Sequence, residues 1–164
     1  MKWFTALAGW IRPVSTRTFA SVAAVLALSA VPAGGEDLEE VAACAGTVIG
    51  QSVVDLYYED ATAFEEGTRL ALLAYYGSIN ARDYSEEEIE AADLLLGERT
   101  DRILSAANED RYDAAMFGEV LDCYRQLALG LYENRAVLDA DAQAYEEAVD
   151  ISIEALRETF AREE

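Results

Sequence analysis

Histidine is absent from this chain of 164 residues. Its absence excludes imidazole general-base catalysis and histidine-ligated metal sites. Two prolines in the whole chain argue against a loop-rich or proline-rich protein. No Gly-x-Ser-x-Gly occurs, so the strand-to-helix nucleophile turn of the hydrolases is missing. The two cysteines are far apart, which removes the Cys-x-x-Cys spacing of a redox pair. No stretch alternates apolar and polar residues over a useful length, so strands are not expected. The length suits one domain and is short for two.

What is present is acid, unevenly placed. Residues 1–35 hold no Asp or Glu and carry Lys2, Arg12 and Arg17. The rest of the chain has nine arginines against 32 acids, a balance of −23. Such a domain repels nucleic-acid phosphates and anionic membranes. Basic proteins or divalent cations are the charged partners it suits.

The acid-free start reads as a secretory signal peptide over residues 1–33. A basic stretch ending at Arg17 precedes the apolar or small run Phe19–Ala30, and Val31-Pro32-Ala33 places the cut after Ala33. Cleavage after Ala30, an uncleaved anchor and a mitochondrial presequence are the alternatives. The apolar run to Ala33 is short for a bilayer span, which needs about 17–25 residues. No membrane span is expected after cleavage, and residues 34–164 form the domain. Trp3 and Trp10, the two tryptophans, fall in the leader. The expected address is the bacterial periplasm or the exterior. In that compartment an even pair of cysteines reads as a disulfide, Cys44–Cys123.

The mature pattern is helical throughout. Leu38, Val41, Ala45, Val48, Ser52 and Leu56 share one face of a helix over Glu36–Glu59. A second helix, Thr62–Ser78, carries Phe64, Ala71, Leu72 and Tyr75, with Gly77 as its stop signal. The third start is the best marked. Ser85 is an N-cap with Glu88 as its reciprocal partner, and Tyr84 and Ile89 are placed for a hydrophobic staple. That helix runs to Asn108. A fourth covers Asp110–Asn134 and a fifth Asp141–Ala161. The expected fold is all-α, a single-domain bundle of about five helices. Both cysteines lie on apolar faces, so their bond ties the first helix to the fourth. Gly46 and Gly50 each cost helicity unless another backbone packs on them, which predicts a close helix crossing there.

The acidic runs have plain readings. Asp139-Ala140-Asp141 starts like a calcium loop, but Ala144 stands where that loop needs glycine, and Asp150 where it needs Glu. Glu86-Glu87-Glu88 suits a solvated helix N-terminus. Paired carboxylates can hydrolyse glycosides, but spacing singles out none of them. No catalytic residue, metal ligand or cofactor is assigned. Nine tyrosines are the unusual aromatic feature, with doublets at Tyr57-Tyr58 and Tyr75-Tyr76. Adjacent helix positions diverge, so one member of each doublet is expected at a boundary or surface. Exposed tyrosine favours partner contact. The neighbourhood of Tyr57, Tyr76 and Tyr132 is the candidate binding groove. The first functional reading is an exported, non-catalytic binding protein for a protein or small-molecule ligand. A carboxylate-based hydrolase of cell-wall glycans and an acidic cation-binding or salt-adapted protein are the alternatives. The sequence leaves the oligomeric state open.

Overall fold

The structure is a computed structural model that describes residues 37–161. The expected leader, residues 1–33, lies outside the described residues, as do both tryptophans. The described chain is all-α, with six helices and no strand: α1 Leu38–Tyr57, α2 Ala61–Ala81, α3 Glu86–Asn108, α4 Ala114–Glu133, α5 Arg135–Ala140 and α6 Ala142–Ala161. None of them is long and apolar enough to cross a membrane.

The bundle is organised around α1. The expected stripe is buried from Leu38 to Ser52, with Leu56 half-buried. Ala42, Thr47, Ile49, Val53 and Val54 are buried too, so α1 is enclosed on nearly all sides. It packs chiefly on α3 and α2, then on α4. A central helix needs small residues wherever neighbours press in, and Gly46 and Gly50 supply them. A Cβ on Gly46 would lie 2.1 Å from the Leu96 carbonyl oxygen, and one on Gly50 would lie 2.8 Å from Ile103 Cβ. The close crossing is with α3. There the buried Thr100 hydroxyl donates to Gly46 O (3.1 Å) or Leu96 O (3.0 Å).

Helix ends follow local chemistry. Ser85 and Glu88 form the full capping box. The Glu88 amide donates to Ser85 Oγ at 3.3 Å, and Glu88 Oε2 accepts from the Ser85 amide at 2.7 Å. The Ser85 hydroxyl also donates to Glu88 Oε2 at 2.7 Å, and this bond, with the Ser85 amide bond after it, holds the Glu88 carboxyl below its usual range. Tyr84 and Ile89 are both half-buried against the core. Other ends depart from expectation. α2 does not stop at Gly77 but runs on to Ala81. Gly77 is buried in mid-helix, and a Cβ there would sit 3.3 Å from the Leu138 side chain. Its smallness serves a contact, not a terminus. α4 starts four residues later than expected, at Ala114. Asp113 caps it by accepting from the amides of Ala115 and Met116, and Asp110 turns the chain with a φ of 52°. The short α5 was not anticipated. Six residues give no readable period, and none of them is buried.

Cys44 and Cys123 form the disulfide, with Cα atoms 4.8 Å apart, and it ties α1 to α4. Both residues are buried. The outer surface is laced by arginine. Arg102 makes a bidentate pair with Glu119, both bonds 2.7 Å, joining α3 to α4. Arg69 reaches Asp150 at 2.6 Å, and Arg157 reaches Glu65, so α6 is pinned to α2 twice. Among the described residues one buried side-chain polar atom is left over: Thr68 Oγ1, on a fully buried residue of α2, has no hydrogen-bond partner.

Candidate functional site

The tyrosines sort by which helices flank them. Tyr75 and Tyr76 are both buried, which corrects the expectation that one of them would be peripheral. The reason is that α2 is covered on several sides. The Tyr75 hydroxyl donates to Asp93 Oδ1 of α3 at 2.7 Å, while Tyr76 reaches Ser152 Oγ of α6 at 3.3 Å. Burial is the main cause that raises both phenols above their ordinary pKa, Tyr75 far above it. Tyr57 and Tyr58 are instead both exposed, because α1 ends at Tyr57. Tyr57 meets Phe160 of α6 edge to face, with ring centroids 6.3 Å apart.

Of the expected binding residues, Tyr132 borders a cleft. The cleft has a volume of about 390 Å³ and lies between α2, α4, α5 and α6. Its apolar walls are Leu73 of α2, Ala128 and Leu131 of α4, Leu138 of α5, and Ala142 and Tyr145 of α6. Tyr57 and Tyr76 do not line it. Arg135, Asp139 and Glu146 supply its polar edge and are exposed. The Arg135 guanidinium lies over the Tyr132 ring, 4.2 Å from the centroid, and donates to the Tyr132 carbonyl at 2.6 Å. This stacking fixes the orientation of an otherwise solvent-facing ring. Tyr145, at the base, has its phenol pushed up by burial and then by the charge of Asp141.

Local folding explains the cleft. Asn134 closes α4 and starts α5, and its side-chain amide donates to Ser78 Oγ of α2 at 3.3 Å. The chain then lays Leu138 on Gly77. α6 follows directly, so the short helix holds α4 and α6 apart over Leu73. The sequence signal for this was slight, because Gly77 read as a terminator and α5 had no period. A smaller polar hollow of about 30 Å³ lies near the α2 and α4 C-termini, lined by Ser78, Arg82, Glu133 and Asn134 among others.

A second polar cluster sits where α1 meets the loop that leads into α4. The Tyr112 hydroxyl donates to Gln51 Oε1, and Gln51 Nε2 donates to Asp55 Oδ1 at 2.7 Å. Burial raises the Asp55 carboxyl, with Asp60 adding to the rise and the Gln51 bond opposing it. Burial also raises Asp101. Neither carboxyl lines either of the two clefts described. A glycosidase acid is a buried carboxyl facing a second carboxylate. Asp139 and Glu146 border the main cleft but are open to solvent. Among the described residues no group of three or more Cys, Asp or Glu side chains is placed to hold a metal ion. The chemistry available to the main cleft is apolar contact, aromatic stacking and a few charges at its edge. No family model, curated protein or solved structure matches this chain.

Proposed function

We propose that this protein is an exported, non-catalytic binding protein whose cleft between α2, α4, α5 and α6 takes an apolar group of a ligand or partner. The observation that carries this reading is the cleft itself, with its apolar walls and a stacked Tyr132–Arg135 pair at its mouth. Sites that recognise small ligands combine apolar walls with a few placed polar groups, as this one does. Export is supported by the basic-then-apolar start of the sequence and by two cysteines within bonding reach.

The ligand reading is tested with Nile red, a neutral apolar dye that the acidic surface does not repel. The dye is expected to brighten on binding. Ala128→Phe, which fills the cleft from an exposed position, is expected to abolish that signal while the fold is retained. Equal brightening by the filled variant would refute the site. Export is tested by N-terminal sequencing of the protein from its native cells. A start at Gly34 is expected, and an intact Met1 with two alkylatable thiols would overturn that part.

A further inference from the structure

The outer surface of α4 carries a stripe of apolar side chains that nothing among the described residues covers. Phe117, Leu121, Leu129 and Tyr132 are 50 %, 42 %, 62 % and 65 % exposed. Their spacing places them on one side of the helix, roughly opposite the buried Val120, Cys123 and Leu127. A helix of ordinary amphipathic design puts polar side chains there. From Phe117 to Tyr132 the stripe is about 22 Å long at the α-helical rise. It runs into the cleft, because Tyr132 belongs to both. Exposed Arg125, paired with Asp122 at 3.0 Å, lies between Leu121 and Leu129 on the same side, so the stripe is two apolar patches and not one unbroken surface. Exposed apolar patches of this kind mark an interaction site.

Charge selects the occupant. Arg69, Arg99, Arg102, Arg111, Arg125 and Arg157 are held in ion pairs within the molecule. Arg135 is stacked on Tyr132. Around the lower half of the stripe Glu133, Asp139 and Glu146 are exposed and unpaired among the described residues. A second copy of this chain would bring the same acids against them. Cationic groups from a partner would neutralise them. A linear apolar stripe that ends in a pocket, edged by carboxylates, has the form of a helix-docking groove.

We propose that the outer face of α4 docks a cationic amphipathic helix of a partner protein, with one apolar side chain of that helix seated in the cleft. This rests on the cleft reading above and adds the class of partner. The apolar contacts hold the helix along Phe117, Leu121 and Leu129. Lys or Arg on its flanks pairs with Glu133, Asp139 and Glu146.

The test uses the native oxidised protein and a labelled helical peptide of leucine and lysine, about 18 residues long, read by fluorescence anisotropy at about 0.15 M salt, where exposed charges act only over about 8 Å. Its controls are a scrambled isomer of the same composition and a leucine–glutamate counterpart. The expected result is binding of the amphipathic peptide roughly tenfold or more tighter than either control. Leu121→Glu and Leu129→Glu are each expected to weaken it by about tenfold or more, while leaving Nile red binding in the cleft intact. Both positions are exposed, and unchanged circular dichroism confirms the fold of each variant. Equal binding of the scrambled isomer would mean charge attraction alone and overturn the proposal. So would affinity unchanged in both variants, or a dimer in sedimentation that Leu121→Glu dissociates. Dye binding without peptide binding defeats the docking helix and leaves the cleft reading standing. Peptide binding without dye binding defeats the seat in the cleft.

Discussion

Replacing Gly46 by alanine inserts one methyl group where α1 and α3 cross. The new carbon would lie 2.1 Å from the Leu96 carbonyl oxygen, 2.9 Å from its carbon and 3.0 Å from Arg99 Cβ. The first two are backbone atoms, so no rotamer change relieves the contact. The helices must part by about 1.4 Å to restore a van der Waals separation of roughly 3.5 Å. Overpacking of this kind costs about 1–3 kcal/mol, and more where backbone must move. Parting also stretches the Thr100 hydroxyl bond to Gly46 O, whose net contribution is about 1 kcal/mol. Alanine returns about 1 kcal/mol of helix propensity. The balance is a loss of about 2–4 kcal/mol, a large share of the 5–15 kcal/mol typical of a domain. Gly118 of α4 is the internal control, because a Cβ there meets nothing within 4 Å. The same substitution at Gly118 is expected to stabilise by up to about 1 kcal/mol. Urea unfolding followed by far-ultraviolet circular dichroism on the oxidised protein measures both. Gly46→Ala matching or exceeding the wild type, or both variants shifting in the same direction, would refute the crossing.

Thr68→Val exchanges a buried, unpartnered hydroxyl for a methyl of similar shape, so a gain of about 1 kcal/mol is expected in the same assay. A loss would show that the hydroxyl is satisfied in solution. Replacing Cys44 and Cys123 together by alanine opens a link across 79 residues of sequence and is expected to lower stability by up to about 4–5 kcal/mol; a change below about 1 kcal/mol would mean the bond is not formed in the working protein. Asp55 has its folded-state pKa raised by burial, so its ionised form opposes folding at neutral pH and the penalty lifts as pH falls through that pKa. Asp55→Asn keeps the acceptor for Gln51. It is expected to stabilise at pH 7 by no more than about 1 kcal/mol after solvent screening, with the advantage fading in acid. An advantage equal at pH 7 and pH 3 would contradict the assignment.

The elements readable beforehand were those whose signals are local or periodic. The Ser85–Glu88 cap, the Gly46–Gly50 crossing and the cysteine pair each rest on a few residues whose chemistry admits little else. The faces of α3, α4 and α6 followed from their apolar spacing. What stayed hidden depended on neighbours. The stripe on α1 marked one face, but how far a helix is enclosed is decided by how many others surround it. The same enclosure buried both Tyr75 and Tyr76. Gly77 looked like an end because glycine usually is one, and only the placement of Leu138 shows otherwise. The cleft was the least legible feature, since its walls come from four helices and its geometry hangs on the six-residue α5. Tyr132 was singled out as one of nine tyrosines, and only the fold places it beside a cleft. Leu73, Leu138 and Tyr145 carried the marks of ordinary core residues.

The C-terminal helix leans on one neighbour far more than on any other. α6 packs chiefly against α2 and only slightly against α5, whereas α1 is gripped from three directions. Two wall residues of the cleft, Ala142 and Tyr145, therefore belong to a segment anchored chiefly to one neighbour. Amide protons of α6 should exchange with deuterium well before those of α1, through partial opening that leaves the disulfide-linked centre intact. The mouth of the cleft would then breathe on its α6 side, and any group seated there would slow exchange along α6 most of all.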